Sequence, residues 1–167
     1  EMWVHKESGT VYPTAPGVLA GDFDNDIYEF KNANYPMVKR DFKQFLKVMN
    51  RIRGGKPFNI LLTVSPVPLT ATASGKHVLL STVSSKSILR SVAEYFSSSN
   101  QRIDYFPSYE IVTNPRMHST AFKENLRSVR DEAVDIVMKH FFAEHKVLEQ
   151  KMSKPTLEDL PFNVAED

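Results

Sequence analysis

The sequence predicts an α/β fold built around parallel strands. Residues 58–64 form an apolar and β-branched run, which is typical of a strand covered on both faces. An amphipathic helix pattern precedes this run, and a second helix and a second strand follow it. Strands that alternate with helices along a chain favour a parallel sheet with right-handed crossovers.

The first helix is predicted over residues 36–53. Its apolar residues recur at helical spacing and lysines and arginines occupy the opposite face, while Gly54 and Gly55 end the pattern. The strand at 58–64 comes next and is stopped by Pro66 and Pro68, which cannot continue a hydrogen-bonded ladder.

The elements after this strand alternate in the same way. A loop rich in threonine, serine and glycine leads into a short apolar run at 78–80 and a helix predicted over 84–97, for which a serine is available as the N-cap. A short strand at 103–106 ends at Pro107, and a third helix runs from about residue 129 into the region 140–150. Residues 8–35 are rich in turn formers and large apolar side chains, so we expect an ordered loop that packs over the core.

Composition excludes several classes of function. The 167 residues include 21 basic and 20 acidic residues, a net charge of +1, so no global field attracts nucleic acid. The absence of cysteine excludes a disulfide framework, a zinc site built on thiolates and a cysteine nucleophile within these residues. No apolar run is long enough for a membrane span. The compartment is not fixed by the sequence, although the cytoplasm is favoured.

Five separate segments, in order, resemble the C-terminal portion of the GSCFA domain. They are 62–72 (LTVSPVPLTAT), 77–78 (HV), 85–90 (SKSILR), 105–110 (YFPSYE) and the helix pattern at 134–142. The opening residues Glu1-Met-Trp3 also resemble the middle of that domain. We expect residues 1–150 to form this portion of the domain and residues 151–167 to form an extended acidic tail.

The resemblance implies a fold and a chemistry. GSCFA domains are related to SGNH, or GDSL-like, esterases and acyltransferases, so the implied fold is a flavodoxin-like three-layer α/β/α arrangement with an SGNH-type parallel sheet. The implied function is ester hydrolysis or acyl transfer on an acylated carbohydrate or polysaccharide precursor, without a metal or an organic cofactor. The family's namesake segment, which would carry the nucleophile, is expected upstream of Glu1.

The sequence departs from the SGNH pattern at its catalytic dyad. That pattern ends in Asp-x-x-His, in which the aspartate orients a histidine that acts as general base. The aligned positions are Asn125 and Ser128, which cannot perform these roles. Ser128 has a second interpretation, because its spacing from Asp131 resembles a helix capping box.

Two histidines are the candidate catalytic bases. His118 lies in the loop pattern that precedes the dyad positions, and His77 follows the Ser65 strand within a segment that matches the family. Each also has a structural interpretation, His118 as a surface histidine and His77 as a residue that packs beside Val78.

Four residues are predicted to bind substrate. Ser65 follows the buried strand, where ligand sites of open α/β sheets occur. Lys86 is predicted in the first turn of a helix, where it could bind an anionic or sugar oxygen or could simply pair with Glu110. Tyr105 and Glu110 suit stacking on a sugar ring, or could form a rim that packs against the early loop.

A function of a different class stays open at this point. The loss of the dyad favours a catalytically inactive domain that binds carbohydrate or supports assembly while keeping the fold. The predicted partners are a carbohydrate or acylated glycan and, if few strands flank residues 58–64, an upstream segment of the same domain or a second copy of the chain.

Overall fold

The computed structural model describes residues 1–18 and 22–145. The N-terminal region forms an antiparallel sheet with the strand order β2-β1-β3 from β1 (Met2–His5), β2 (Val11–Tyr12) and β3 (Tyr28–Lys31). The Trp3 ring packs edge-on against Phe30 of β3, with the ring centroids 5.3 Å apart. The expectation that residues 8–35 form only a loop was therefore wrong, because two of their short runs pair with β1.

A second, parallel sheet positions the candidate site. It consists of β4 (Ile60–Leu62) and β5 (Ile103–Tyr105), with Ile60 opposite Ile103 and Leu62 opposite Tyr105. Both strands are shorter than the predicted runs, but they occur within them. Because the strands are parallel, their carboxyl ends meet at one edge of the sheet.

Two long helices cover one face of this sheet. Helix α1 (Tyr35–Ile52) and helix α2 (Val78–Ser99) pack against each other, and their apolar side chains enclose Ile103. The predicted first helix is confirmed, and its N-terminus is capped by Asn34, whose side-chain oxygen accepts from the amide of Met37 at 3.1 Å. The core cluster around Ile103 comprises Tyr35, Val38, Phe42, Leu46, Ile60, Leu62, Val92 and Phe96.

Helix α2 begins earlier than its sequence pattern suggests. The apolar run at 78–80 forms its first turn, and the ring of His77 accepts from the amide of Leu79 at 3.2 Å as the N-cap. The predicted serine cap was wrong because an imidazole Nδ1 at position 77 satisfies a free amide of the first turn.

Three further helices form a second, smaller core. They are α3 (Ser108–Thr113), α4 (Pro115–Ala121) and α5 (Asp131–His145). Their apolar contacts centre on Val112 and Ala121, which are almost completely buried, and on Phe122 and Ala133. Helix α5 confirms the third predicted helix, whereas α3 and α4 were missed because each is too short to show a helical period.

The fold class is α/β, with a small parallel sheet, an antiparallel sheet and helices. The three-layer flavodoxin-like arrangement stays a prediction. The predicted tail at 151–167 and the domain boundary at residue 150 lie outside the described residues.

Candidate functional site

The carboxyl ends of β4 and β5 bring several of the predicted residues together. Val64, the second residue after β4, is buried, and its carbonyl accepts a hydrogen bond from the hydroxyl of Ser108 at 3.1 Å. Ser65 is the next residue and is exposed, with its hydroxyl accepting from the amide of Val67 at 3.2 Å. The two strand ends are thus joined through Ser108, and the Ser65 hydroxyl lies at the surface beside them.

Tyr105, Glu110 and Arg90 form a polar network at the end of β5. The Tyr105 hydroxyl donates to the Glu110 carboxylate, at 2.9 Å from Oε2 and 3.1 Å from Oε1. Arg90 of α2 donates from Nε to Glu110 Oε1 at 2.7 Å, and its guanidinium lies 4.2 Å from the centre of the Tyr105 ring. A further bond of 2.8 Å joins Arg90 to Glu94 one turn along α2. Arg90 was not among the predicted site residues, although its spacing from Glu94 is a helical ion-pair signal.

Burial and this network shift two pKa values. Burial raises the pKa of Tyr105 far above its ordinary value of 10.0, and the hydrogen bond to Glu110 and the negative charge of that carboxylate raise it further. The pKa of Arg90 is also raised: burial opposes the charge, but the hydrogen bonds to Glu94 and Glu110 and the nearby charges outweigh it. At neutral pH the network therefore holds a neutral phenol and a charged guanidinium.

Lys86 has a different environment from the one predicted. It lies eight residues after Val78, the first residue of α2, and so it is not in the first turn. Glu110 pairs with Arg90, and no hydrogen bond or ion pair of Lys86 is found in the part of the chain that the structure describes. Lys86 is nevertheless only 9% exposed, and burial lowers the pKa of its ammonium.

The end of the sheet and the loop after β4 contact α2 on either side of Lys86. At the end of the sheet, the Tyr105 ring of β5 lies against the guanidinium of Arg90, one turn after Lys86. In the loop, the amide of Leu69 donates to the hydroxyl of Thr82, one turn before Lys86, at 3.2 Å. Residues 66–68 of this loop are half-buried. The turn of α2 that carries Lys86 therefore lies between these two contacts.

The two candidate bases do not meet each other. His77 is exposed and its Nδ1 is engaged as the α2 cap, which is a structural role that the sequence did not predict. His118 lies on α4, is exposed, and places its ring 5.6 Å from that of Phe122. Neither histidine has a described hydrogen bond to a carboxylate that would orient it as a base.

Asn125 and Ser128, at the dyad positions, are in direct contact. Asn125 Nδ2 donates to Ser128 Oγ at 2.9 Å, and Asn125 Oδ1 accepts from the amides of Arg127 and Ser128. These bonds close a tight turn in which Leu126 adopts a φ of 53°. The capping interpretation of Ser128 was wrong: α5 begins at Asp131, and the Ser128 hydroxyl is bonded within the turn instead.

A cleft of about 580 Å³ lies on the other side of Tyr105, between the sheet and α5. Asp104 and Leu61 contribute one side, and His140 and Glu144 contribute the other. His140 Nδ1 lies 2.8 Å from the carbonyl of Ile136, an arrangement in which Nδ1 carries the proton and Nε2 is left as an acceptor. The sequence does not reveal this arrangement, because the neighbours of His140 in the cleft come from distant elements.

The described residues contain neither a candidate metal site nor a candidate membrane span. In residues 1–18 and 22–145, no group of three or more histidines and carboxylates is arranged to hold a metal ion. Over the same residues, no helix combines the length and the apolar character that crossing a bilayer requires.

The fold and the polar strand ends define an α/β protein with a candidate ligand site at the carboxyl edge of a parallel sheet. The model of the GSCFA family matches residues 1–141, and the chain therefore belongs to the GSCFA family. No curated protein and no solved structure matches the chain.

Proposed function

We propose that the chain is the carbohydrate-binding part of a GSCFA domain that hydrolyses or transfers an acyl ester on a sugar or polysaccharide precursor. The observation that supports this most strongly is the buried Lys86 of α2, which has no partner among the described residues and lies one turn from Arg90, whose guanidinium stacks on Tyr105 at the end of β5. The carboxyl edge of a parallel sheet is where ligands bind in open α/β folds. Family membership supports the reaction class through its resemblance to SGNH enzymes.

In this proposal each residue has a limited role. The exposed Ser65 hydroxyl hydrogen-bonds a sugar hydroxyl, and the edge of the Tyr105 ring lines the site while Glu110 holds its hydroxyl in place. Glu110 contacts substrate with the carboxylate edge that Arg90 and Tyr105 leave open, because that side chain is 40% exposed. The nucleophile is expected from a segment upstream of residue 1.

The base of the proposed reaction comes from His77 or His118. His118 is the better candidate, because its ring does not cap a helix. His77 has only Nε2 available, since its Nδ1 caps α2. A reactive geometry for either histidine requires a bound substrate or a further segment beside it.

The second candidate function is binding without catalysis. The contact between Asn125 and Ser128 favours it, since the two side chains satisfy each other and neither can accept and return a proton near neutral pH. The same carbohydrate site would then serve recognition or assembly alone.

Release of acetate from O-acetylated xylan by the natively expressed protein tests the proposal. His118→Gln and His77→Asn are the informative variants, because asparagine preserves the helix cap while removing the imidazole. His5→Gln is the matched control, as His5 belongs to the antiparallel sheet and not to β4 or β5. Loss of at least about 100-fold in one of the two test variants supports acid–base catalysis.

Two other outcomes decide between the candidates. Binding of acetylated xylan without any release of acetate supports the non-catalytic function. If the protein neither binds nor hydrolyses acetylated carbohydrate, the proposed function is rejected in both forms.

A further inference from the structure

We propose that Lys86 binds an anionic oxygen group on the carbohydrate, so that the preferred ligand is an acidic sugar and not a neutral one. This inference rests on the proposed function, which it makes more specific. The group is a carboxylate, as in a uronic acid, or a phosphate, as in a sugar phosphate, because both present oxygens that an ammonium recognises.

The environment of Lys86 is energetically unfavourable for a charged side chain. A lysine is almost never this buried without a partner, because restricting the access of water to an ammonium costs free energy even where the atom keeps some contact with solvent. Lys86 is 9% exposed, on the same side of α2 as the buried Ala93 two turns further on. A methionine or leucine at this position would fill the space without that cost, so packing alone does not account for the charge.

The ammonium of Lys86 keeps some contact with solvent. In the part of the chain that the structure describes, every fully buried polar side-chain atom has a hydrogen-bond partner. No partner is found there for Lys86, so its Nζ atom is not fully buried. An incoming ligand can therefore reach the charge.

The charged groups near the end of β5 bear on the ligand that Lys86 would prefer. Glu110 and Glu94 both pair with Arg90, at 2.7 Å and 2.8 Å, and neither pairs with Lys86. The Lys86 ammonium is therefore left without a bonded carboxylate among the described residues. A neutral sugar hydroxyl would supply a hydrogen bond but no charge, whereas a carboxylate or phosphate supplies both.

Calorimetric titration of the full chain with three sugars tests the inference: methyl glucuronide, glucose 6-phosphate and methyl glucoside. We expect at least one acidic sugar to bind at least about tenfold more tightly than methyl glucoside. Lys86→Met should abolish this preference, while Lys86→Arg should keep part of it. Lys47→Met, on the exposed side of α1, removes the same charge and should keep the preference.

Inorganic phosphate provides a readout that does not depend on any sugar. At matched ionic strength, phosphate should raise the melting temperature of the wild type and of Lys47→Met relative to chloride, and should not raise that of Lys86→Met. If phosphate stabilises only proteins with Lys86 but no sugar binds, the anion site stands and the proposed function fails. If all three sugars bind equally and phosphate has no effect, Lys86 is not an anion site and only this inference is overturned.

Discussion

Arg90 of α2 and Glu110 of α3 are joined by a 2.7 Å hydrogen bond between Nε and Oε1 across the end of β5. This contact links helices that pack in two different apolar clusters, one around Ile103 and one around Val112. It also fixes the carboxylate that the Tyr105 hydroxyl contacts. The geometry of the candidate site therefore depends on an ion pair between elements that are distant in sequence.

Replacing Glu110 with glutamine should lower the free energy of unfolding by about 1–2 kcal/mol. The amide keeps the shape of the side chain but weakens its charge-assisted bonds to Arg90 and Tyr105, and partial exposure limits the loss. Urea unfolding at neutral pH measures the change. Glu94→Gln is the matched control, since Glu94 shares Arg90 but is 57% exposed, and it should cost clearly less than Glu110→Gln. Equal effects of the two variants would contradict the central role of Glu110.

The wild type should lose stability in alkaline solution, and Tyr105→Phe should remove part of this loss. The pKa of Tyr105 is raised in the folded state, so above about pH 10 the unfolded chain loses the phenolic proton while the folded chain keeps it. This contribution is fully present below the ordinary pKa and declines as the pH rises above it. The difference in stability between the wild type and Tyr105→Phe should shrink from about pH 9 to pH 11. A difference independent of pH would contradict the raised pKa of this phenol.

Lys86→Met should stabilise the protein at neutral pH by about 1 kcal/mol, because it replaces an unpaired, nearly buried charge with an apolar side chain of similar length. The pKa of Lys86 is lowered on folding, so between that value and its ordinary 10.5 the unfolded chain binds more protons. The free energy of unfolding of the wild type should therefore increase relative to that of Lys86→Met as the pH rises through this window. Thermal unfolding at several pH values measures both effects, and a destabilised Lys86→Met would indicate a partner for the ammonium.

Leu126→Gly should stabilise the turn at 123–128 by about 0.5 kcal/mol. Leu126 is 76% exposed and has a φ of 53°, a conformation that costs a leucine about 1–2 kcal/mol but costs glycine little. The greater freedom of glycine in the unfolded chain offsets part of this gain. Arg127→Gly, one residue further and without a positive φ, is the control and should destabilise. Chemical denaturation of both variants compares the two signs directly, and a loss in both would show that the turn is not strained.

The sequence predicted the long amphipathic elements well. Helix α1 has a clear apolar stripe and the Gly54-Gly55 ending, and its observed bounds agree with the pattern to within a residue or two. The start of α2 was misplaced because Leu79 and Leu80 are 62% and 63% exposed, so the first turn shows no buried stripe. The short helices α3 and α4 are held by tertiary contacts of Val112 and Ala121, which a local pattern does not reveal.

The candidate site was predictable only in part. The turn-forming prolines after β4 correctly marked the strand end at which Ser65 lies. The predicted pairing of Glu110 with Lys86 was wrong. Lys86 and Arg90 are one helical turn apart, and only the packing of α2 on β5 decides which of them reaches the carboxylate. The bond between Asn125 and Ser128 could have been anticipated, since asparagine side chains commonly bond to groups two or three residues further on in turns.

The most direct test of the account is an NMR titration of the ¹⁵N-labelled chain with an O-acetylated acidic sugar. The account predicts that the largest amide shifts occur at Ser65, Val67 and Lys86, around the loop after β4, and that they are lost in Lys86→Met. Shifts confined to the opposite end of the sheet, near Phe58 and Asn100, or no shifts at saturating sugar, would contradict a carbohydrate site at the carboxyl edge of the sheet.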